Sequence, residues 1–119
     1  MRRYIMILAT LALFASCSKD NNPMSGTSWV STRSAECAWE NDNLNGDFSE
    51  VMTFDDKHVQ SKTLKNGYVY RNNWSNEYAY SDGLVTIYST LDTVEFHVRG
   101  NEMWQVRGGG MYNYIFYKQ

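Results

Sequence analysis

The chain has 119 residues, 15% of them aromatic and 20% charged, with 11 Lys and Arg against 13 Asp and Glu. That length holds one ordinary domain, and the slight excess of acids argues against the basic face that nucleic-acid binding requires. The two cysteines allow at most one disulfide.

The N-terminus reads Met1-Arg2-Arg3, then an apolar run from Tyr4 to Phe14, then Ala15-Ser16-Cys17. Basic, apolar and small regions in that order are the layout of a secretory signal. The run is too short for a permanent span, which needs roughly 20 apolar residues. Leu13-Phe14-Ala15-Ser16-Cys17 resembles a lipobox, at which a bacterial signal peptidase leaves a diacylated cysteine. Phe14 stands where lipoboxes usually carry Leu, Val or Ile. The resemblance implies a lipoprotein signal peptide over 1–16 and a lipidated Cys17, with a flexible tether over 17–25 and a folded domain over 26–119. The alternative is an ordinary signal peptide with an incidental cysteine. Each buried acyl CH₂ contributes about 0.8 kcal/mol, so several chains hold a protein to a membrane without a spanning helix. Ser18-Lys19-Asp20-Asn21-Asn22-Pro23 is similar to the short Lys/Asp-bearing tags that send some Gram-negative lipoproteins to the cell surface. The expected address is therefore the outer membrane or cell surface. Loss of Arg2 and Arg3 with the signal leaves the mature chain near −4.

Beyond the tether the pattern has period two. Ser49–Phe54 alternates, as do Thr93–Arg99 and Tyr112–Tyr117. No stretch after residue 24 shows a sustained helical apolar face. Turn dipeptides at Asn45-Gly46, Asp55-Asp56, Asn66-Gly67, Asp82-Gly83 and Gly100-Asn101 separate the runs, with Gly108-Gly109-Gly110 near the end. Asn-Gly and Asp-Gly suit hairpins because both residues tolerate positive φ. These signals predict eight antiparallel strands, near 27–34, 48–54, 57–63, 68–80, 84–89, 93–99, 102–107 and 112–117. The fourth is expected to bend around Asn72-Asn73-Trp74-Ser75, and 35–41 to extend the first strand past a bulge.

Eight such strands can close into an up-and-down barrel, which removes sheet edges. Gly26-Thr27-Ser28-Trp29, Tyr78–Ile87, Gly100-Asn101-Glu102-Met103 and the final Tyr117-Lys118 together resemble the small lipocalin-like domains found in bacterial lipoproteins. Two residues separate Gly26 from Trp29, where lipocalins have one. The resemblance implies an all-β barrel with Trp29 plugging one end. It also implies that a basic residue late in the chain, Arg107 or Lys118, serves that tryptophan.

Several groups were weighed for chemistry. Seven acids and no Lys or Arg lie between Ser34 and Asp56. Asn41-x-Asn43-x-Asn45-Gly46 has the opening of a calcium loop, but an EF-hand requires Glu six residues after the glycine and Met52 stands there. A solvated acidic loop is expected instead. His58 and His97 have no ligand-spaced partners for zinc. No helix follows the glycine triplet to make it a phosphate cradle. Cys37 alternates with Trp39, which as a strand puts both on one face and predicts a buried structural thiol.

The aromatic residues carry the functional expectation. Tyr68, Tyr70, Tyr78 and Tyr80 recur at period two, with Trp74 between them. They either fill the barrel or form an exposed platform that stacks on a partner. A small domain without a disulfide needs most of its aromatic rings in the core, and an eight-stranded barrel is just wide enough for side chains or one small ligand. The first expectation is a non-enzymatic, membrane-anchored barrel that binds a small apolar or aromatic ligand or acts as a scaffold. The alternative is an interaction module for a glycan or a secreted protein, using exposed Tyr and Trp. No catalytic residues, metal or cofactor are expected, and the membrane is the one partner the sequence indicates directly, through Cys17.

Overall fold

The computed structural model describes residues 22–105 and 115–119. The predicted signal peptide, Cys17, the glycine triplet, Arg107 and the start of the last predicted strand lie outside the described residues. Eight strands run in chain order: β1 (Ser28–Ser31), β2 (Phe48–Phe54), β3 (His58–Lys65), β4 (Tyr68–Ser81), β5 (Leu84–Tyr88), β6 (Thr93–Arg99), β7 (Glu102–Gln105) and β8 (Ile115–Lys118). Each pairs antiparallel with the next, and β8 returns to β1 to close an up-and-down barrel.

The turn chemistry sets the hairpins. Asn66 and Gly67 take φ of 52° and 88°, and Asp82 and Gly83 take 50° and 81°. Two successive positive φ values make a turn whose twist matches the flanking strands. Alternation then sorts each strand into an inner and an outer row. On β2 the inner row is Phe48, Glu50, Met52 and Phe54; on β3 it is Val59, Ser61 and Thr63.

The up-and-down path gives the barrel two unlike ends. The chain comes in at one of them, where the β2–β3, β4–β5 and β6–β7 turns lie. The Asn22 amide donates to the Tyr78 hydroxyl (2.9 Å), and Met24 is fully buried. The barrel thus takes hold of the chain by Asn22, within the segment expected to be a flexible tether. Trp29, Met52, Phe54, Val59, Tyr78, Val85, Ile87, Phe96, Met103 and Phe116 pack with Met24 into one core. Phe54 meets Tyr78 edge-on at 4.9 Å between centroids, and Phe96 meets Phe116 at 5.9 Å.

The opposite end carries the one helix among the described residues, α1 (Ala38–Asn43). Residues 35–41 were expected to extend β1, so this is a correction. The amides of Ala38, Asn41 and Leu44 bond to carbonyls four residues back, as in a helix turn. Residues two apart in a helix point to nearly opposite sides. Cys37 is therefore fully buried while Trp39 is 60% exposed. The expected burial of Cys37 is seen, but the alternation that motivated it is not.

Trp29 ties the core together. It is 2% exposed, and its indole N–H donates to Thr27 Oγ1 (2.8 Å), which in turn donates to the Met24 carbonyl (2.6 Å). Lys118 lies opposite it in the β1–β8 ladder and is exposed. Large-to-small changes at such a site cost about 3–5 kcal/mol, a large part of the 5–15 kcal/mol a domain has. Trp29→Ala is predicted to lower the chemical unfolding midpoint sharply. A loss under about 1 kcal/mol, ordinary for surface changes, would show that Trp29 does not anchor the core.

Candidate functional site

The five aromatics of β4 do not form one row. Against β3, Ser61 pairs with Trp74 and Lys62 with Asn72, so Asn73 is an extra residue; Thr63 pairs with Arg71 and Leu64 with Val69, so Tyr70 is a second. The expected bend falls at the first of these bulges. Each extra residue shifts the side-chain phase by one: past the first bulge Arg71 takes the inward phase, and past the second the phase returns, with Tyr68 across from Lys65 at the exposed hairpin tip. Tyr78 is buried, and its hydroxyl donates to the Asp55 carbonyl (2.5 Å). Trp74 and Tyr80 are half-buried and pack on the core. Tyr68 is 80% exposed, and Tyr70 stands half in solvent with its ring edge-on to Phe48 at 5.1 Å. The inward group of the expected set is therefore Trp74, Tyr78 and Tyr80, and the outward group is Tyr68 and Tyr70.

The outward group has neighbours the sequence did not pair with it. Among the described residues, the exposed large apolar side chains are Trp39, Leu44, Tyr68, Val69, Tyr70, Tyr88, Leu91 and Tyr117. All but Tyr117 lie on α1 or its C-cap Leu44, on the β3–β4 hairpin, or at the end of β5 and in the β5–β6 connection, at the helix end of the barrel. Scattered single residues need no explanation; these are concentrated at one end of the barrel.

A buried polar network holds that end in shape. The bulges bring Arg71 and Asn73 toward the interior. Arg71 Nη1 donates to Glu40 Oε2 of α1 (2.8 Å), Nη2 to the Glu36 carbonyl (2.8 Å), and Nε to Asn73 Oδ1 (2.9 Å). The Asn73 amide donates onward to Thr63 Oγ1 (2.9 Å) and Ser61 Oγ (3.0 Å), and the Ser61 hydroxyl donates to the Glu50 carboxyl. Asn41 seals the exposed margin of β2, with Nδ2 donating to the Phe48 carbonyl and Oδ1 accepting from the Phe48 amide, both at 2.8 Å. These bonds fix α1, and with it Trp39, against the β3–β4 hairpin. The chain segment expected to be a solvated acidic loop is therefore corrected at two positions, since Glu40 and Glu50 are both buried.

The two carboxyls sit in opposite electrostatic settings. Hydrogen bonding to the Arg71 guanidinium holds Glu40 below its ordinary value. Glu50 has no cation beside it. Burial pushes its pKa up from the ordinary 4.5; the hydroxyls of Ser34 and Ser61 oppose the rise and the charge of Glu36 adds to it. Burial likewise raises the Cys37 thiol, whose Sγ lies 3.6 Å from the Ser31 carbonyl. A buried thiol of raised pKa is a poor nucleophile. Among the described residues, no group of three or more His, Cys, Asp or Glu is placed to hold a metal ion. His58 is exposed between Asp55 (3.9 Å) and Glu77 (4.0 Å), and His97 lies against Trp104. The arrangement offers aromatic and apolar contact area at the helix end.

The polar network was missed at the sequence level, although one signal was present. Glu50 falls in the same period-two phase as Phe48, Met52 and Phe54, and Ser61 and Thr63 fall in phase with Val59. No family model, no curated protein and no solved structure matches the chain.

Glu50 gives a pH prediction with a definite sign. A carboxyl whose folded pKa lies above its unfolded value favours the folded state in its protonated form. Its contribution is complete below about 4.5 and is lost as pH rises through the raised folded value. Glu40 has the opposite sign, stabilising above the ordinary range and losing its contribution as pH falls. Glu50→Gln isolates the first effect. Its thermal midpoint is predicted to gain on wild type as pH rises from 4 toward 8 (about the range in which a raised Glu titrates). Parallel curves for the two proteins would show that Glu50 does not titrate there.

Proposed function

We propose that this chain is an exported, lipid-anchored, non-enzymatic binding module that engages a macromolecular partner through the exposed aromatic residues at the helix end of its barrel. The observation that carries the reading is the gathering of Trp39, Leu44, Tyr68, Val69 and Tyr70 on α1 and the β3–β4 hairpin. The expectation of a small apolar ligand inside the barrel finds less support. Trp74, Tyr78 and Tyr80, which would have lined such a site, pack with the core.

The anchor and the binding end are also arranged compatibly. Four residues separate Cys17 from Asn22, and the five Cα-to-Cα steps between them reach at most about 18 Å. Asn22 is held at the end of the barrel opposite α1. A lipid on Cys17 would thus keep that end near the bilayer and hold Trp39 and Tyr68 away from it. The acids Glu36, Asp42 and Asp47 around the helix also disfavour contact with an anionic surface.

Two measurements test this reading. Cys17→Ser is predicted to abolish acyl labelling and to release the chain from membranes; unchanged fractionation and labelling would remove the anchor. A photo-crosslinking residue placed at Tyr68 or Trp39 in the producing bacterium is predicted to give discrete adducts. The same residue at Glu95, on the outer wall of β6, should give none. Indistinguishable patterns from the three positions would overturn the binding-end assignment.

A further inference from the structure

Among the described residues, β4 carries a long strand margin without a neighbour. β5 reaches only as far as Tyr88, which pairs with Glu77 of β4. β4 continues for nine more residues, Tyr68–Asn76, paired to β3 on one side only. At about 3.3 Å per residue this margin is roughly 30 Å long. No described residue bonds to its outer side. The Tyr78 amide donates to the Lys57 carbonyl on the β3 side. Counting by two, Asn76 and Trp74 also turn their backbone groups toward β3, which leaves the N–H and C=O of Ser75 on the open side. Ser75, Asn72, Tyr70 and Val69 are all exposed.

An open margin is ordinarily blunted by charge or covered. The corresponding overhang of β2 is covered, by the Asn41 amide bonded to both backbone groups of Phe48. On β4 the sole charge between Tyr68 and Asn76 is Arg71, and it is engaged with Glu40. The bulges at Tyr70 and Asn73 are the one blunting device present. They break the margin into short regular stretches. Exposed apolar side chains flank both ends: Tyr68 and Tyr70 at one, Tyr88 and Leu91 at the other.

We infer that the partner is an extended polypeptide segment, which adds as a strand to the open margin of β4 beside Ser75 and packs side chains on Tyr70 and Tyr88. This rests on the binding-end reading above and narrows its partner to a peptide chain. The reason is chemical. A row of backbone donors and acceptors at strand spacing is matched by another extended backbone, and neither a glycan nor a lipid supplies that alternation. Charge adds a preference. Glu36, Asp42, Asp47 and Asp92 outnumber Arg33 and Lys65 at this end, so the segment is expected to carry Lys or Arg near apolar residues.

The test uses a random linear dodecapeptide library displayed on phage, panned against the full chain in detergent micelles. The recovered peptides are predicted to be rich in β-branched, aromatic and basic residues. Ser75→Pro removes one outward N–H and is tolerated at a strand margin. It should weaken the best peptide about tenfold or more, as expected for a lost backbone bond at a covered edge, and leave the unfolding midpoint near wild type. Independently of any variant, N-methylation of alternate amides in that peptide should abolish binding in one register and spare it in the other. Equal binding by wild type and Ser75→Pro, together with indifference to N-methylation, would overturn strand addition. The binding-end reading would survive that result if Tyr68→Ser still weakened the peptide, and would fall with it if Tyr68→Ser did not. Sedimentation as a dimer that Ser75→Pro dissolves would mean that a second copy occupies the margin, which also overturns the inference. Recovery of no peptide above background would do the same.

Discussion

Between Ser61 and Leu64 of β3, the facing strand β4 holds two more residues than it needs to pair, and the layout of the helix end depends on this mismatch. Without the extra residues, strict alternation from Tyr78 would carry an inward phase through Trp74 to Asn72, Tyr70 and Tyr68. With them, Arg71 and Asn73 turn inward; the second extra residue, Tyr70, returns the phase, and Tyr68, across from Lys65, is exposed because it lies at the hairpin tip. The guanidinium then reaches Glu40 and the Glu36 carbonyl, and the Asn73 amide links Thr63 to Ser61. A charge drawn partly out of water is tolerable when it is paired and its remaining donors are satisfied, and the half-buried Arg71 meets both conditions.

The interior is divided accordingly. Toward Asn22 it is apolar, built on Trp29, Phe54, Phe96 and Phe116. Toward α1 it is polar, running from Glu50 through Ser61, Thr63 and Asn73 to Arg71. Such a polar chain contributes less net stability than an apolar core of equal volume, but its directional bonds specify one position for α1. That position is what keeps Trp39 beside the β3–β4 hairpin. The Asn22 end and the helix end of the barrel are thus built from different interactions.

Much of this was legible in the chain itself. Strand boundaries followed from alternation and from Asn66-Gly67 and Asp82-Gly83, because hairpin turns are local and side-chain phase is a strict function of position. The burial of Trp29 was an expectation carried by the resemblance of Gly26-Thr27-Ser28-Trp29 to lipocalin-like domains, and Trp29 is buried. The helix was not legible. Six residues rich in Asn and acid have no apolar stripe, and α1 is held by tertiary bonds from Arg71 and Asn41.

The sequence by itself determined the eight strands, their order, and the all-β class, since these rest on period-two patterning and local turn chemistry. It also carries the lipobox-like segment ending at Cys17, a purely local signal. Only the tertiary structure decided which of Tyr68, Tyr70, Trp74, Tyr78 and Tyr80 face solvent. A bulge is a relation between two strands, visible only in their register; it reverses the side-chain phase beyond it until a second bulge restores it, as happens here at Asn73 and Tyr70. The same holds for Glu50 and Arg71. Their inward placement depends on which residues lie across the barrel, and no spacing along the chain records that.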